Sequence, residues 1–230
     1  MVTDANLCRL MTWLSPSFPV GAYAYSHGLE YAVEDGLVRD EGGLTRWITG
    51  ILVFGGGRLD AGLFRWAWDA ARDGDRDMLS RVVERASVLR GSAELALESA
   101  AQGRAFLDTV LQAWPRPTLY DWRDQLAEAG REPAYPVSVG VACAIVGIPL
   151  RPALTAYLHA FAANLVSAGV RLVPLGQTAG QQTMAALEQP ITDAADAALD
   201  RDPEDLAAAA LVVDWTSMQH ETQYTRLFRS

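Results

Sequence analysis

The sequence predicts an all-α protein, a single domain folded as a bundle of about eight to ten helices. Three observations carry this expectation. Thirty-seven of the 230 residues are alanine, the strongest helix former. Apolar residues recur at steps of three and four through most of the chain. No stretch alternates apolar and polar residues over five or more positions between turn signals, as half-buried strands do.

Asn6 to Leu14 reads as a short helix stopped by Ser15-Pro16, with Pro19 and Gly21 in the turn that follows. Ser26 reads as the cap of a second helix marked by Leu29, Ala32 and Val33 and ended by Gly36. Arg46 to Phe54 is apolar on most sides before Gly55-Gly56-Gly57 bends the chain. Asp60 then stands where a cap is needed, with Leu63, Phe64, Ala67 and Trp68 on one face and Arg65, Asp69 and Arg72 on the other. Gly74 closes that helix.

Met78, Leu79, Val82, Val83, Ala86 and Leu89 form the clearest stripe. Leu95, Ser99, Gln102, Phe106 and Val110 continue it until Pro115 and Pro117. Asp121 to Ala129 is a short amphipathic helix ahead of Pro133 and Pro136. Val137 to Val146 and Pro152 to Val170 read as the two most buried helices. Gln177 to Glu188 and Glu204 to Met218 complete the series.

Composition narrows the function. Nineteen cations against 28 anions leave −9, which opposes a nucleic-acid partner. All 19 cations are arginine, so Schiff-base, pyridoxal-lysine and Walker-type phosphate chemistry are excluded. Cys8 and Cys143 suit a reducing cytoplasm and no disulfide scaffold, and no signal peptide opens the chain. Pro152 to Val170 is uncharged for 19 residues, but Thr155, His159, Asn164 and Ser167 within it favour a buried central helix or a subunit interface over a membrane span.

Catalytic spacings fail one after another. Gly55-x-Gly57 meets Asp60 where a dinucleotide fingerprint needs glycine, and no nucleophile elbow occurs. His220-Glu221 is followed by Tyr224 where a zinc protease needs its second histidine. A metal-dependent hydrolase would require His27, His159 and His220 to converge by folding, and this is the alternative function carried forward.

Two oddities remain. Arg151 and Arg171 are the only charges between Pro133 and Leu187, so their partners must come from elsewhere, Glu30 or Asp60 or another chain. Beside them, Gln177, Thr178, Gln181 and Gln182 form an amide-rich patch suited to a hydrogen-bonded interface. The second oddity is residues 219–230, rich in anchor types (Tyr224, Arg226, Leu227, Phe228, Arg229) at a terminus that ordinarily frays. It reads as a segment that orders against a partner.

Three runs carry a family resemblance: Ser15-Pro16-Ser17-Phe18-Pro19-Val20-Gly21-Ala22-Tyr23-Ala24-Tyr25-Ser26-His27-Gly28-Leu29-Glu30, Val170-Arg171-Leu172-Val173-Pro174-Leu175-Gly176-Gln177, and His220 through Ser230. With them the chain closely resembles the urease accessory protein UreF family. The resemblance implies an all-α, dimeric, cytoplasmic protein without catalytic activity or resident cofactor. It implies a complex with a UreD (UreH) scaffold and the UreG GTPase that delivers nickel to the urease apoprotein. No residue is assigned as a metal ligand; nickel is handled transiently by the complex. Carried over residue by residue, His220, Glu221, Tyr224, Arg226, Leu227, Phe228, Arg229 and Ser230 are the partner-binding tail, and Glu30, Arg171 and Gln177 line a gate or passage. Two positions depart from the family pattern: Ala96 replaces an arginine between Glu94 and Glu98, and Tyr135 replaces a histidine before Pro136.

Overall fold

A computed structural model describes residues 2–202 and 204–230. Ten helices of ten or more residues form among them: α1 Asp4–Trp13, α3 Glu41–Phe54, α4 Gly56–Asp73, α5 Arg76–Val88, α6 Ala93–Ala113, α7 Pro117–Glu128, α8 Tyr135–Ile145, α9 Leu150–Leu172, α10 Gln177–Asp200 and α11 Leu211–His220. A six-residue helix, α2 Leu29–Glu34, and a 3-10 turn at Ala22–Ala24 complete the secondary structure. No strand occurs among the described residues, as the alanine content and periodicity predict.

The sheath of helices closes on α8, in which every residue from Pro136 to Cys143 is buried. It lies against α4, α6 and α9. Gly103 of α6 makes this approach possible, because a Cβ there would stand 2.0 Å from the Pro133 carbonyl oxygen. Trp13, Phe18, Phe106 and Trp114 stack edge-on or tilted at one end of the core, which ties α1 to α6. α9 alone among the described helices is long and apolar enough to cross a membrane. It packs instead against α2, α3, α4, α8 and α10.

Local chemistry sets several boundaries. Asp40, Asp75 and Ser92 accept the Gly43, Met78 and Leu95 amides and start α3, α5 and α6. Four expectations need correction. The stripe from Met78 to Val110 is two helices, because Gly91 and the Ser92 cap break it. Asp60 caps nothing: α4 starts at Gly56, and Asp60 lies buried inside it. α10 continues through Pro190 to Asp200. Losing one helical bond at proline costs about 3 kcal/mol, which burial of Leu187 and Ile191 at about 2 kcal/mol each offsets. Residues 204–210 form no helix despite four consecutive alanines. Long-range bonds tie them to α3 and α4: Ala209 N–H donates to the Phe54 carbonyl at 2.7 Å and Arg58 Nε to the Ala207 carbonyl at 2.6 Å.

The two isolated arginines also separate. Arg151 pairs with Asp196 on the surface at 2.8 Å. Arg171 meets no carboxylate among the described residues, and Glu30 and Asp60 are both engaged elsewhere.

Candidate functional site

Residues 221–230 fold back across α2, α6 and the Tyr23–Gly28 turn, and the chemistry of the site lies along that seam. The turn is set by two consecutive left-handed residues, His27 at φ 55° and Gly28 at φ 72°. Gly28 has no substitute here, because a Cβ would stand 2.7 Å from the Ser217 amide nitrogen of α11.

Three carboxylates hold the tail. Glu30 of α2 accepts the Leu227 amide at 2.6 Å and the Phe228 amide at 2.9 Å. It also faces His220 Nε2 at 3.0 Å. Glu94 of α6 meets His220 Nδ1 at 2.6 Å and accepts Arg226 Nη1 at 2.9 Å. Glu98, one turn further along α6, accepts the Ser230 hydroxyl at 2.8 Å and the Gln102 amide at 2.9 Å. The Ser230 carbonyl in turn accepts the Ser26 amide at 2.8 Å, and Arg229 N–H donates to the Ala24 carbonyl at 2.8 Å.

His27 Nδ1 lies 3.2 Å from Glu98, close enough for an ion pair but off the hydrogen-bond direction. Burial pulls its pKa down, and the Glu98 carboxylate with help from Asp60 outweighs that, so the net shift is upward. The Arg171 guanidinium, from the end of α9, lies 3.6 Å from the centre of the Tyr23 ring and 4.3 Å from that of the Phe228 ring. Its guanidinium donates to the Tyr23 carbonyl at 2.9 Å and the Ser167 carbonyl at 3.1 Å. A planar cation thus joins α9, the 3-10 turn and the tail without any acid.

Beneath this seam is a cavity of about 260 Å³ whose polar wall includes His27, Asp60, Arg90, Glu98 and Tyr157. Arg90 pairs with Asp60 at 2.7 Å, and Tyr157 donates to the same carboxylate at 2.7 Å. Burial drives the Tyr157 and Tyr135 hydroxyls and the Cys143 thiol well above their usual ranges, so none is an available nucleophile.

The structure brings Glu30, Arg171, His220, Arg226, Phe228 and Ser230 into one network. Glu221 stands at its edge and accepts the Ala93 amide at the start of α6. Tyr224, Leu227 and Arg229 point into solvent, Tyr224 completely so. Gln177 is exposed at the first position of α10, and no hydrogen bond among the described residues joins it to the cluster. Sequence reading passed over Glu94, Glu98 and His27 as members. The signal was two acids four residues apart on the face that carries Leu95 and Phe106. The three-histidine centre does not form: His27 and His159 share the cavity wall, while both nitrogens of His220 are taken by Glu30 and Glu94. No group of three or more His, Cys, Asp or Glu side chains among the described residues is arranged to hold a metal ion.

A family model for UreF matches residues 38–188. The urease accessory protein UreF of Granulibacter bethesdensis is 49% identical over 227 residues, covering 99% of this chain and 95% of that one. The chain belongs to the UreF family. Similar agreement comes from the UreF proteins of Magnetococcus marinus, 47% identical with both chains wholly covered, and Xanthobacter autotrophicus, 50% identical over 98% of this chain and 91% of that one. UreF proteins are named urease accessory proteins.

Proposed function

We propose that this UreF-family chain is the adaptor of a urease-activating complex, bridging a UreD/UreH scaffold and the UreG GTPase and gating nickel delivery to the urease apoprotein. It acts in the cytoplasm as a homodimer, performs no catalysis and keeps no cofactor; nickel is its cargo. The observation that carries this reading is the tail. Glu30, Glu94 and Glu98 spend their bonding capacity on residues 220–230, while Tyr224, Leu227 and Arg229 are left facing outward. Anchor side chains held on a buried polar base suit a partner surface better than a chemical step.

Gating follows from the same bonds. Glu30 is saturated by the Leu227 and Phe228 amides and by His220. A partner that draws the tail away uncovers the carboxylates of Glu30 and Glu94, hard oxygen donors for a divalent cation in transit. Arg171, released from Phe228, then confronts that cation or a partner's acid. Gln177 and its amide neighbours flank the passage at the start of α10.

Co-expression with the UreD and UreG counterparts, affinity capture and light-scattering mass test this directly. The full chain is expected to form a two-fold complex with both partners, and a chain ending at Met218 is expected to lose it. Failure of the full chain to capture either partner would overturn the reading.

A further inference from the structure

His27 is the one residue other than glycine with a left-handed backbone among the described residues. Glycine would fill that place more easily, so the turn has a histidine for the sake of its ring. The ring stands in the wall between two cavities. One is the 260 Å³ cavity beneath the tail; the other, of about 70 Å³, lies between the start of α4, Gly91 and α11. Phe161 of α9 meets the ring edge-on at 5.0 Å, and Glu98 of α6 faces Nδ1 at 3.2 Å. Neither ring nitrogen makes a hydrogen bond among the described residues. Charge therefore holds this imidazole more than bond geometry does, and there is space beside it for a second position.

The same groups clasp Ser230. Glu98 accepts the Ser230 hydroxyl on Oε2, the oxygen that also faces His27. Ser26, next to His27, gives its amide and its hydroxyl to the Ser230 carbonyl. Ser26, Glu98 and Ser230 are all buried. One carboxylate oxygen is thus shared between a titratable ring and the tail. The other ionisable groups around the ring are engaged or stand across a cavity. Asp60 of α4 is taken by Arg90 and by the Tyr157 hydroxyl of α9. Tyr135 of α8 and His159 of α9 line the larger cavity, and Asp214 of α11 lines the smaller. Glu98 is therefore the carboxylate to which the charge on the ring responds.

We propose that His27 is a proton-operated latch on the C-terminal segment. The protonated ring neutralises Glu98 and keeps the clasp on Ser230 shut. When the proton leaves, the buried carboxylate loses its cation, the ring turns into a neighbouring cavity, and water competes with Ser230 for Glu98. The sign follows from the surroundings. Burial opposes the charged ring, but Glu98 with help from Asp60 outweighs it, so the proton is held to a higher pH than the ordinary 6.5. The latch is closed on the acid side of that raised value and open on the alkaline side. Its use rests on the adaptor reading, since release presents the tail to a partner; the latch itself is a property of the chain alone.

The test uses a nitroxide on Leu227→Cys in a Cys8→Ser background, with Cys143 buried and silent. Its electron paramagnetic resonance line shape reports tail mobility on the chain alone. The mobile fraction is expected to rise about fivefold between roughly pH 5.5 and pH 8.5, with circular dichroism unchanged. His27→Asn, which tolerates the left-handed backbone, is expected to be mobile at both ends of that range with a flat profile. Glu98→Gln removes the charge that the ring answers and is expected to be flat too, which decides the matter if His27→Asn does not fold. A tail that stays immobile across the range in the otherwise wild-type chain overturns the inference. So does a His27→Asn profile that still follows the wild-type curve. If the full chain captures neither the UreD nor the UreG counterpart while the nitroxide still reports release, the adaptor reading falls and the latch stands.

Discussion

Glu30 shows how one side chain organises the site. A carboxylate this buried is tolerated because backbone amides and an imidazole supply charge-assisted bonds from three directions. Glu30→Gln keeps the shape but turns one acceptor into a donor facing an amide. The expected result is a loss of about 2–4 kcal/mol in urea unfolding and rapid tryptic cleavage at Arg226 and Arg229. His27 gives a pH dependence with a definite sign. Its folded pKa is raised above the ordinary 6.5, so the stability it adds is complete below about pH 6.5 and is lost as pH climbs through the folded value. Melting temperature is expected to fall over that window in the wild type and to do so less steeply in His27→Asn, a residue that tolerates the left-handed backbone.

Between elements, the decisive bond is the buried Arg90–Asp60 pair, which ties the α5–α6 connection to the N-terminal part of α4. Burial works against both charges, and their mutual attraction holds Arg90 firmly protonated. Arg90→Met should therefore cost about 3–5 kcal/mol, because it removes the buried cation paired with Asp60 and leaves Tyr157 as that side chain's hydrogen-bond donor. The double variant Arg90→Met with Asp60→Asn should cost less than the single one, measured by urea unfolding of both. Equal costs would mean that Arg90 contributes packing alone.

For the whole molecule, Arg171 is the cross-brace. It joins α9, the 3-10 turn and the C-terminal segment through two rings and two carbonyls. Arg171→Ala is expected to cost about 1–2 kcal/mol, to leave the helical bundle folded by circular dichroism, and to free the tail for proteolysis. Arg171→Lys keeps the charge but not the planar stack, and should restore less than half of the protection. A collapse of the bundle in Arg171→Ala would instead make this arginine a core element and remove it from the gate.

The sequence alone determined the all-α class, the helices with strong caps and periods, and the family, because propensity, capping and motif order are local or linear properties. It also singled out Glu30, Arg171 and the residues after Met218. What it could not decide was partnership. Asp60 looked like a cap and became half of a buried ion pair with Arg90, 30 residues later. The helix read as Gln177 to Glu188 runs on through Pro190, because burial on both sides of the proline outweighs one lost bond. The alanines at 207–210 looked helical until carbonyls and guanidinium groups from α3 and α4 claimed their backbone. Glu94 and Glu98 acquired meaning only when the tail arrived from 132 residues away. Long-range hydrogen bonds between buried polar groups depend on which surfaces meet, and tertiary packing alone makes that choice.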